Sequence, residues 1–328
     1  MIQRYRKRLP VTDATPDVTL GEGSTPLIRS RRIGERLGLD LHFKFEGMNP
    51  TGSFKDRGMT VAVSKAVEEG AEAVVCASTG NTASSAAAYA ARAGLTAVIL
   101  CPAGAVAAAK LAQSRAVGAK VLEVQGSFDE ALESCVELSR RGTHALVNSL
   151  NPHRIEGQKT AAFEIDEALD RGPDVLALPY GGGGNTVAYA KGFAEDGVKL
   201  RMISAHAVDR STTLASAIRI AEPAHLAEVE ALIADGAVEP VAVTDEDITR
   251  MWLELAHGEG IFCEPSSAAG VAAIEKLRPE RGSTVVCVLT GHGLKDAARV
   301  AEHTPEAVLV QPTVDSILEA LEPSLVPA

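Results

Sequence analysis

Short apolar runs separated by stretches of helical period set the pattern of this chain. Residues 73–77, 97–100, 121–124, 145–147, 175–178, 202–205 and 284–289 are dominated by Val, Ile, Leu and Ala, with little polar alternation. That is the pattern of strands covered on both faces. Between them the spacing predicts helices over 82–93, 106–116, 128–140, 157–168 and 186–194. Thr244-Asp245-Glu246-Asp247 opens another capped helix reaching about His257, and residues 313–321 read as a short one near the C-terminus. Regular strand–helix alternation predicts an α/β fold of mostly parallel sheets flanked by helices.

The 328 residues suit roughly two domains, and 46% hydrophobic with 23% charged residues is ordinary globular composition. A net charge of −11 argues against nucleic acid and against anionic membranes as partners. It leaves room for small anionic substrates held in a local positive pocket. No apolar run is long enough for a membrane span, and no apolar segment follows Arg4, Arg6, Lys7 and Arg8 as a signal peptide requires. The five cysteines are widely spaced with no C-x-x-C pair, so a reducing cytoplasm is expected and no metal centre is expected.

The most informative segment is Pro50-Thr51-Gly52-Ser53-Phe54-Lys55-Asp56-Arg57-Gly58. Ser53 and Asp56 read as a capping box, with Ser53 the N-cap and Lys55 the second helical residue. The positive end of the helix dipole and burial both lower a lysine pKa there, and a neutral amine can form an imine with a carbonyl cofactor. Taken alone, the same pattern fits an exposed lysine after a cap.

Three further segments bear on it. Gly181-Gly182-Gly183-Gly184-Asn185-Thr186 joins a predicted strand to a predicted helix, where free N–H groups and the dipole favour a phosphate. Thr186 stands where a dinucleotide fingerprint needs its third glycine, and no Gly-Lys-Ser/Thr follows as a P-loop requires. Ser78-Thr79-Gly80-Asn81-Thr82 is another hydroxyl-rich helix start, suited to an anion or simply to capping. Asn148-Ser149-Leu150-Asn151-Pro152-His153-Arg154 offers a guanidinium able to clamp phosphate, and Lys110 a second positive charge, although either alone reads as a surface residue. Thr290 ends an apolar strand, where open α/β sheets meet their ligands. His292, between two glycines, reads equally as a general base and as a loop residue.

Taken together and in order, these segments resemble the fold-type II (tryptophan synthase β-like) pyridoxal phosphate enzymes, and within them the threonine synthase family. Gly21-Glu22-Gly23-Ser24-Thr25-Pro26-Leu27-Ile28, residues 49–58, residues 148–159 and Ile261-Phe262-Cys263-Glu264-Pro265-Ser266-Ser267 carry the likeness, which runs from about Leu9 to Asp296. The resemblance implies two α/β domains: 1–50 with 151–328 as the larger, cofactor-binding one, and 51–150 as a smaller one closing over substrate. It implies that Lys55 holds pyridoxal 5'-phosphate and shuttles protons, that Phe54 lies beside the ring, and that Asn81 meets the phenolic oxygen. Gly181, Gly182, Gly183, Gly184 and Asn185 would cradle the cofactor phosphate. Thr290 would face the pyridine nitrogen, as a neutral hydroxyl that does not force it to be protonated.

Ser78, Thr79 and Thr82 would receive the substrate carboxylate or phosphate, with Lys110, Ser149, Asn151 and Arg154 on the substrate phosphate. The implied activity is a cytoplasmic lyase of threonine biosynthesis, a homodimer turning O-phospho-L-homoserine and water into L-threonine and phosphate. The competing readings are a threonine or serine dehydratase-like lyase, a paralogue acting on another phosphorylated or phosphonate amino acid, and a non-catalytic carrier, against which the intact lysine argues. The chain departs from the family pattern in a shorter segment at 205–215, in Ala297 where proline is usual, and in a phosphate loop made wholly of glycine.

Overall fold

Central strands that show no polar alternation end up covered on both faces, whereas the run 121–124, expected to be covered, lies at a sheet edge and stays largely exposed. Ala73–Ala77 and Val175–Pro179 are buried along their whole length, and Thr284–Leu289 is buried from its second residue on. The computed structural model describes residues 1–104 and 108–321. Its strands are β1 (Leu27–Arg29), β2 (Asp40–Phe45), β3 (Ala73–Ala77), β4 (Thr96–Pro102), β5 (Lys120–Val124), β6 (His144–Leu146), β7 (Val175–Pro179), β8 (Arg201–Ala207), β9 (Val238–Val243) and β10 (Thr284–Leu289). They form two sheets, ordered β1-β2-β10-β7-β8-β9 and β5-β4-β3-β6. Every pairing is parallel except β1 with β2. The expected α/β class with two mostly parallel sheets is therefore observed.

Three strands had no counterpart in the apolar pattern. β1 and β9 lie at the two edges of the larger sheet and are only partly buried, and Pro240 within β9 suits an edge position. β2 alternates Asp40, His42 and Lys44 with Leu41, Phe43 and Phe45, and hides Lys44 in an ion pair with Glu164 (2.7 Å). The helix expected over 157–168 is two helices, Pro152–Gln158 and Thr160–Leu169. The first starts at Pro152, which takes the N1 position where a missing N–H costs nothing, behind the N-cap Asn151. Helix Ala108–Ala116 answers the prediction over 106–116, whose first two residues lie outside the described ones.

Two compact units are present: Met1–Lys295 holds both sheets, and the remainder carries helices Ala297–Glu302 and Val314–Leu321. Ala297 opens the first of these helices, a position at which proline and alanine are both tolerated. Among the described residues no helix is long and apolar enough to cross a membrane, and no His/Cys/Asp/Glu cluster could hold a metal ion.

Candidate active site

Helix Lys55–Glu68 begins at the lysine itself, so Lys55 is the first helical residue and not the second. Ser53 is not the cap: the N-cap is Phe54, no side chain caps the end, and among the described residues Ser53 Oγ has no hydrogen-bond partner. The expected box fails because the Asp56 carboxylate is used elsewhere. It accepts from Thr51 N (2.7 Å), Thr51 Oγ1 (2.6 Å) and Ser85 Oγ (2.6 Å), closing the turn ahead of the helix. The lysine is thereby held at the exit of a rigid turn whose far side is pinned by Phe54 N donating to Thr290 O (3.0 Å).

Lys55 is partly buried, with Nζ 4.4 Å from the centre of the Phe54 ring. Burial, and then the positive charge of Arg154, push its pKa down from 10.5 to about 7, while Glu264 opposes the shift. About half of this amine is neutral at neutral pH, the form that attacks an aldehyde. Capture of pyridoxal phosphate by apoenzyme should therefore quicken about tenfold between pH 6 and pH 8 and then level off. Stopped-flow absorbance checks this, and a rate still climbing near pH 10 would show an ordinary lysine.

Two residues on, Arg57 anchors the helix in a buried charge cluster. Its guanidinium donates to Glu46 (2.7 and 2.8 Å), to Glu164 (2.8 and 2.6 Å) and to Thr25 Oγ1 (3.0 Å), and Lys44 Nζ donates to Glu164 (2.7 Å). Close by, the Lys55 helix crosses helix Pro152–Gln158 at Gly58 and Gly157. A Cβ on Gly157 would overlap the Arg57 carbonyl oxygen, and one on Gly58 would press on Arg154. Only glycine permits this approach, and the approach packs Arg154 against the first turn of the lysine helix, at Gly58. Arg154 is 1% exposed, donates from one terminal nitrogen to Val147 O (2.9 Å), and has an Nε without a partner. Burial lowers its pKa to about 10, so it stays charged.

Glu264, 4% exposed, joins two of the expected ligand-facing residues. Asn81 Nδ2 donates to one carboxylate oxygen (3.0 Å) and Thr290 Oγ1 to the other (3.1 Å). Nothing in the sequence pattern marked it as a hub, because its partners come from residues 81 and 290.

The glycine run leads into helix Gly184–Glu195, with Gly183 at φ +86° as the turn into it. Among the described residues the amides of Gly181, Gly182 and Gly183 have no backbone acceptor, and the buried Asn185 Nδ2 has no partner. Side chains on Gly181 or Gly183 would press on Ala217, Ile218 and His225. His225 ties the run to the neighbouring segment, its N donating to Gly182 O (3.0 Å) and its Nε2 to Ser149 O (2.8 Å).

The remaining expected residues divide. Thr79 and Thr82 are partly exposed at the start of helix Asn81–Ala93, and among the described residues neither hydroxyl has a hydrogen-bond partner. Ser78 Oγ accepts from Gly80 N and Ala83 N (both 3.2 Å) and ties the turn to the start of the helix, whose N-cap is Gly80. Asn151 spans His153 N (2.9 Å) and Leu146 O (2.8 Å) as the N-cap of its helix. The Lys110 side chain lies outside the described residues. His292 stacks on Phe45 and meets Phe262 edge-on, and its Nδ1 accepts from Leu294 N (3.2 Å), a packing role for a loop residue. Lys295, not marked in the sequence, donates to Thr51 O (3.1 Å) and Gln113 Oε1 (2.6 Å) and steadies the lysine turn.

An amine about half neutral at neutral pH, a row of amides with no backbone acceptor and an Asn185 Nδ2 with no partner among the described residues, and polar side chains at residues 81 and 290 together fit an aldehyde cofactor bearing a phosphate. This chemistry on paired parallel sheets defines the class. The model of the family "Pyridoxal-phosphate dependent enzyme" matches residues 18–291, and the chain belongs to that family. The fold is likewise similar to that of maize serine racemase, with a TM-score of 0.76 at 21% identity over 92% of this chain and 96% of that one. Within the family, the chain is 46% identical to the threonine synthase of Halalkalibacterium halodurans, over 90% of this chain and 89% of the relative. It is also 46% identical to that of Mycobacterium leprae, over 98% and 95%. It belongs among the threonine synthases, as a pyridoxal-phosphate-dependent lyase.

Proposed function

We propose that the chain converts O-phospho-L-homoserine and water to L-threonine and phosphate. When bound, pyridoxal phosphate supplies an electron sink that lets protons leave the α and β carbons and phosphate leave the γ carbon. Lys55 Nζ would hold the cofactor through its aldehyde carbon, and the free amine would take the α proton as a base matched to neutral pH. The amides Gly181–Gly184 and Asn185 Nδ2 hold the cofactor phosphate, and Phe54 packs beside its ring. Thr79 and Thr82, at the start of their helix, receive the substrate carboxylate with Ser78 shaping the turn. Arg154 takes the substrate phosphate and stabilises the charge that grows on it as it leaves, and the resemblance adds Lys110, Ser149 and Asn151 to that role. Residues 51–150 close over the substrate and keep water out until the addition at the β carbon. The homodimer and the cytoplasmic setting implied by the resemblance belong to the same proposal.

The observation that carries this reading is Arg154: a buried guanidinium packed against Gly58 of the lysine helix, with an Nε that has no partner among the described residues. A dehydratase acting on threonine or serine needs no second anion site. Arg154→Ala should lower kcat/KM for O-phospho-L-homoserine on the order of 100-fold, the worth of a charged hydrogen bond or two. A phosphate-release assay checks it. Ammonia release from threonine with no phosphate release from the phosphorylated substrate would favour the dehydratase.

A further inference from the structure

The two segments read above as phosphate sites meet at one residue. His225, the N-cap of helix Leu226–Ala234, is 7% exposed. Its backbone serves the glycine run. The amide donates to Gly182 O (3.0 Å), and a Cβ on Gly183 would stand 3.1 Å from the His225 Cβ and 3.3 Å from its carbonyl oxygen. The ring serves the other segment. Nε2 lies 2.8 Å from Ser149 O, and a carbonyl oxygen only accepts, so Nε2 carries a proton and donates it. Glu228, three residues on, meets the other ring nitrogen at 3.0 Å and fixes the ring plane. The ring edge also closes over the run: a Cβ on Gly184 would stand 3.3 Å from Cδ2 and 3.4 Å from Nε2. Ser149 lies in the turn that starts the Arg154 helix, where Asn151 N donates to Asn148 O and Arg154 N to Asn151 O (both 3.0 Å).

We propose that His225 is a positioning residue that sets the substrate-phosphate segment against the glycine run: its backbone holds the run, and its Nε2 holds the Ser149 turn from which the Arg154 helix starts. The proposal rests on the reading above that Arg154 takes the substrate phosphate. It divides one residue between two ligands. A substitution at residue 225 keeps the amide bond to Gly182, so the run still holds the cofactor phosphate. Loss of the Nε2 donor releases the Ser149 turn, and with it the placement of Arg154 that the substrate phosphate needs.

The test compares His225→Leu, His225→Asn and His225→Gln as holoenzymes. The amide nitrogen of His225→Gln reaches the place of Nε2, and that of His225→Asn does not. His225→Leu and His225→Asn should each raise KM for O-phospho-L-homoserine, and weaken inorganic phosphate binding to holoenzyme in calorimetry, on the order of 10-fold, the worth of one buried hydrogen bond. Cofactor affinity, read by visible absorbance as apoenzyme is titrated with pyridoxal phosphate, should stay within about threefold of the parent's, and His225→Gln should restore phosphate binding to the same margin. A residue that only propped the fold would lower cofactor affinity as well and would not be rescued by His225→Gln. If His225→Leu fails to fold, His225→Asn reads the same effect. Unchanged phosphate binding in both, a His225→Gln as impaired as they are, or a cofactor loss as large as the phosphate loss overturns the proposal. A parent that releases phosphate from O-phospho-L-homoserine while the variants match it defeats this inference alone. A parent that releases none defeats the reading of the function and this inference with it.

Discussion

Lys55→Ala should leave a folded protein that has lost its visible absorbance and on the order of 10^4-fold of its activity, the loss expected when an attachment point and a general base go together. The fold survives because Lys55 contributes little to the core. It is partly exposed, and the turn before it is closed by Asp56, Thr51 and Ser85 without its help. Near-native thermal unfolding with no absorbance is the expected pair of readings. Full turnover in the alanine variant would remove the lysine from the chemistry.

Arg57→Met should have the largest effect on stability. Removing the guanidinium strands Glu46 and Glu164, 0% and 6% exposed, with Lys44 as the remaining cation. Burial raises both carboxyl pKa values, but Arg57 outweighs it at Glu46, and Arg57 with Lys44 holds Glu164 at about 2. Breaking such a buried pair on one side costs about 3–5 kcal/mol, because the charge left behind is unpaired. Urea unfolding of the apoenzyme measures it, and a loss below about 1 kcal/mol would show that the cluster is not holding the helix. The same variant should capture cofactor more slowly, since Arg57 fixes the first turns of the helix that presents Lys55.

Much of this molecule is legible in its sequence, for reasons particular residues make plain. Buried parallel strands such as 73–77 and 284–289 announce themselves as unbroken apolar runs, and the helix 128–140 was legible from its helical spacing. β1, β2 and β9 were hidden because edge position or an internal ion pair lets polar residues into a strand. Lys55 and the glycine run carry a chemistry visible in residue type and order. Glu264, Arg57, Glu46 and Glu164 do not: each looks like an ordinary surface charge until residues far apart in the chain close around it. Ser53 and Asp56 show the opposite failure, a local pattern that was present but lost to Thr51 and Ser85, which bind the Asp56 carboxylate instead.

The account stands most directly on where the cofactor is fixed. Holoenzyme reduced with borohydride, digested and mapped by mass spectrometry should carry the pyridoxyl group on the peptide containing Lys55 and on no other. A tag at a different lysine, or none, would contradict it.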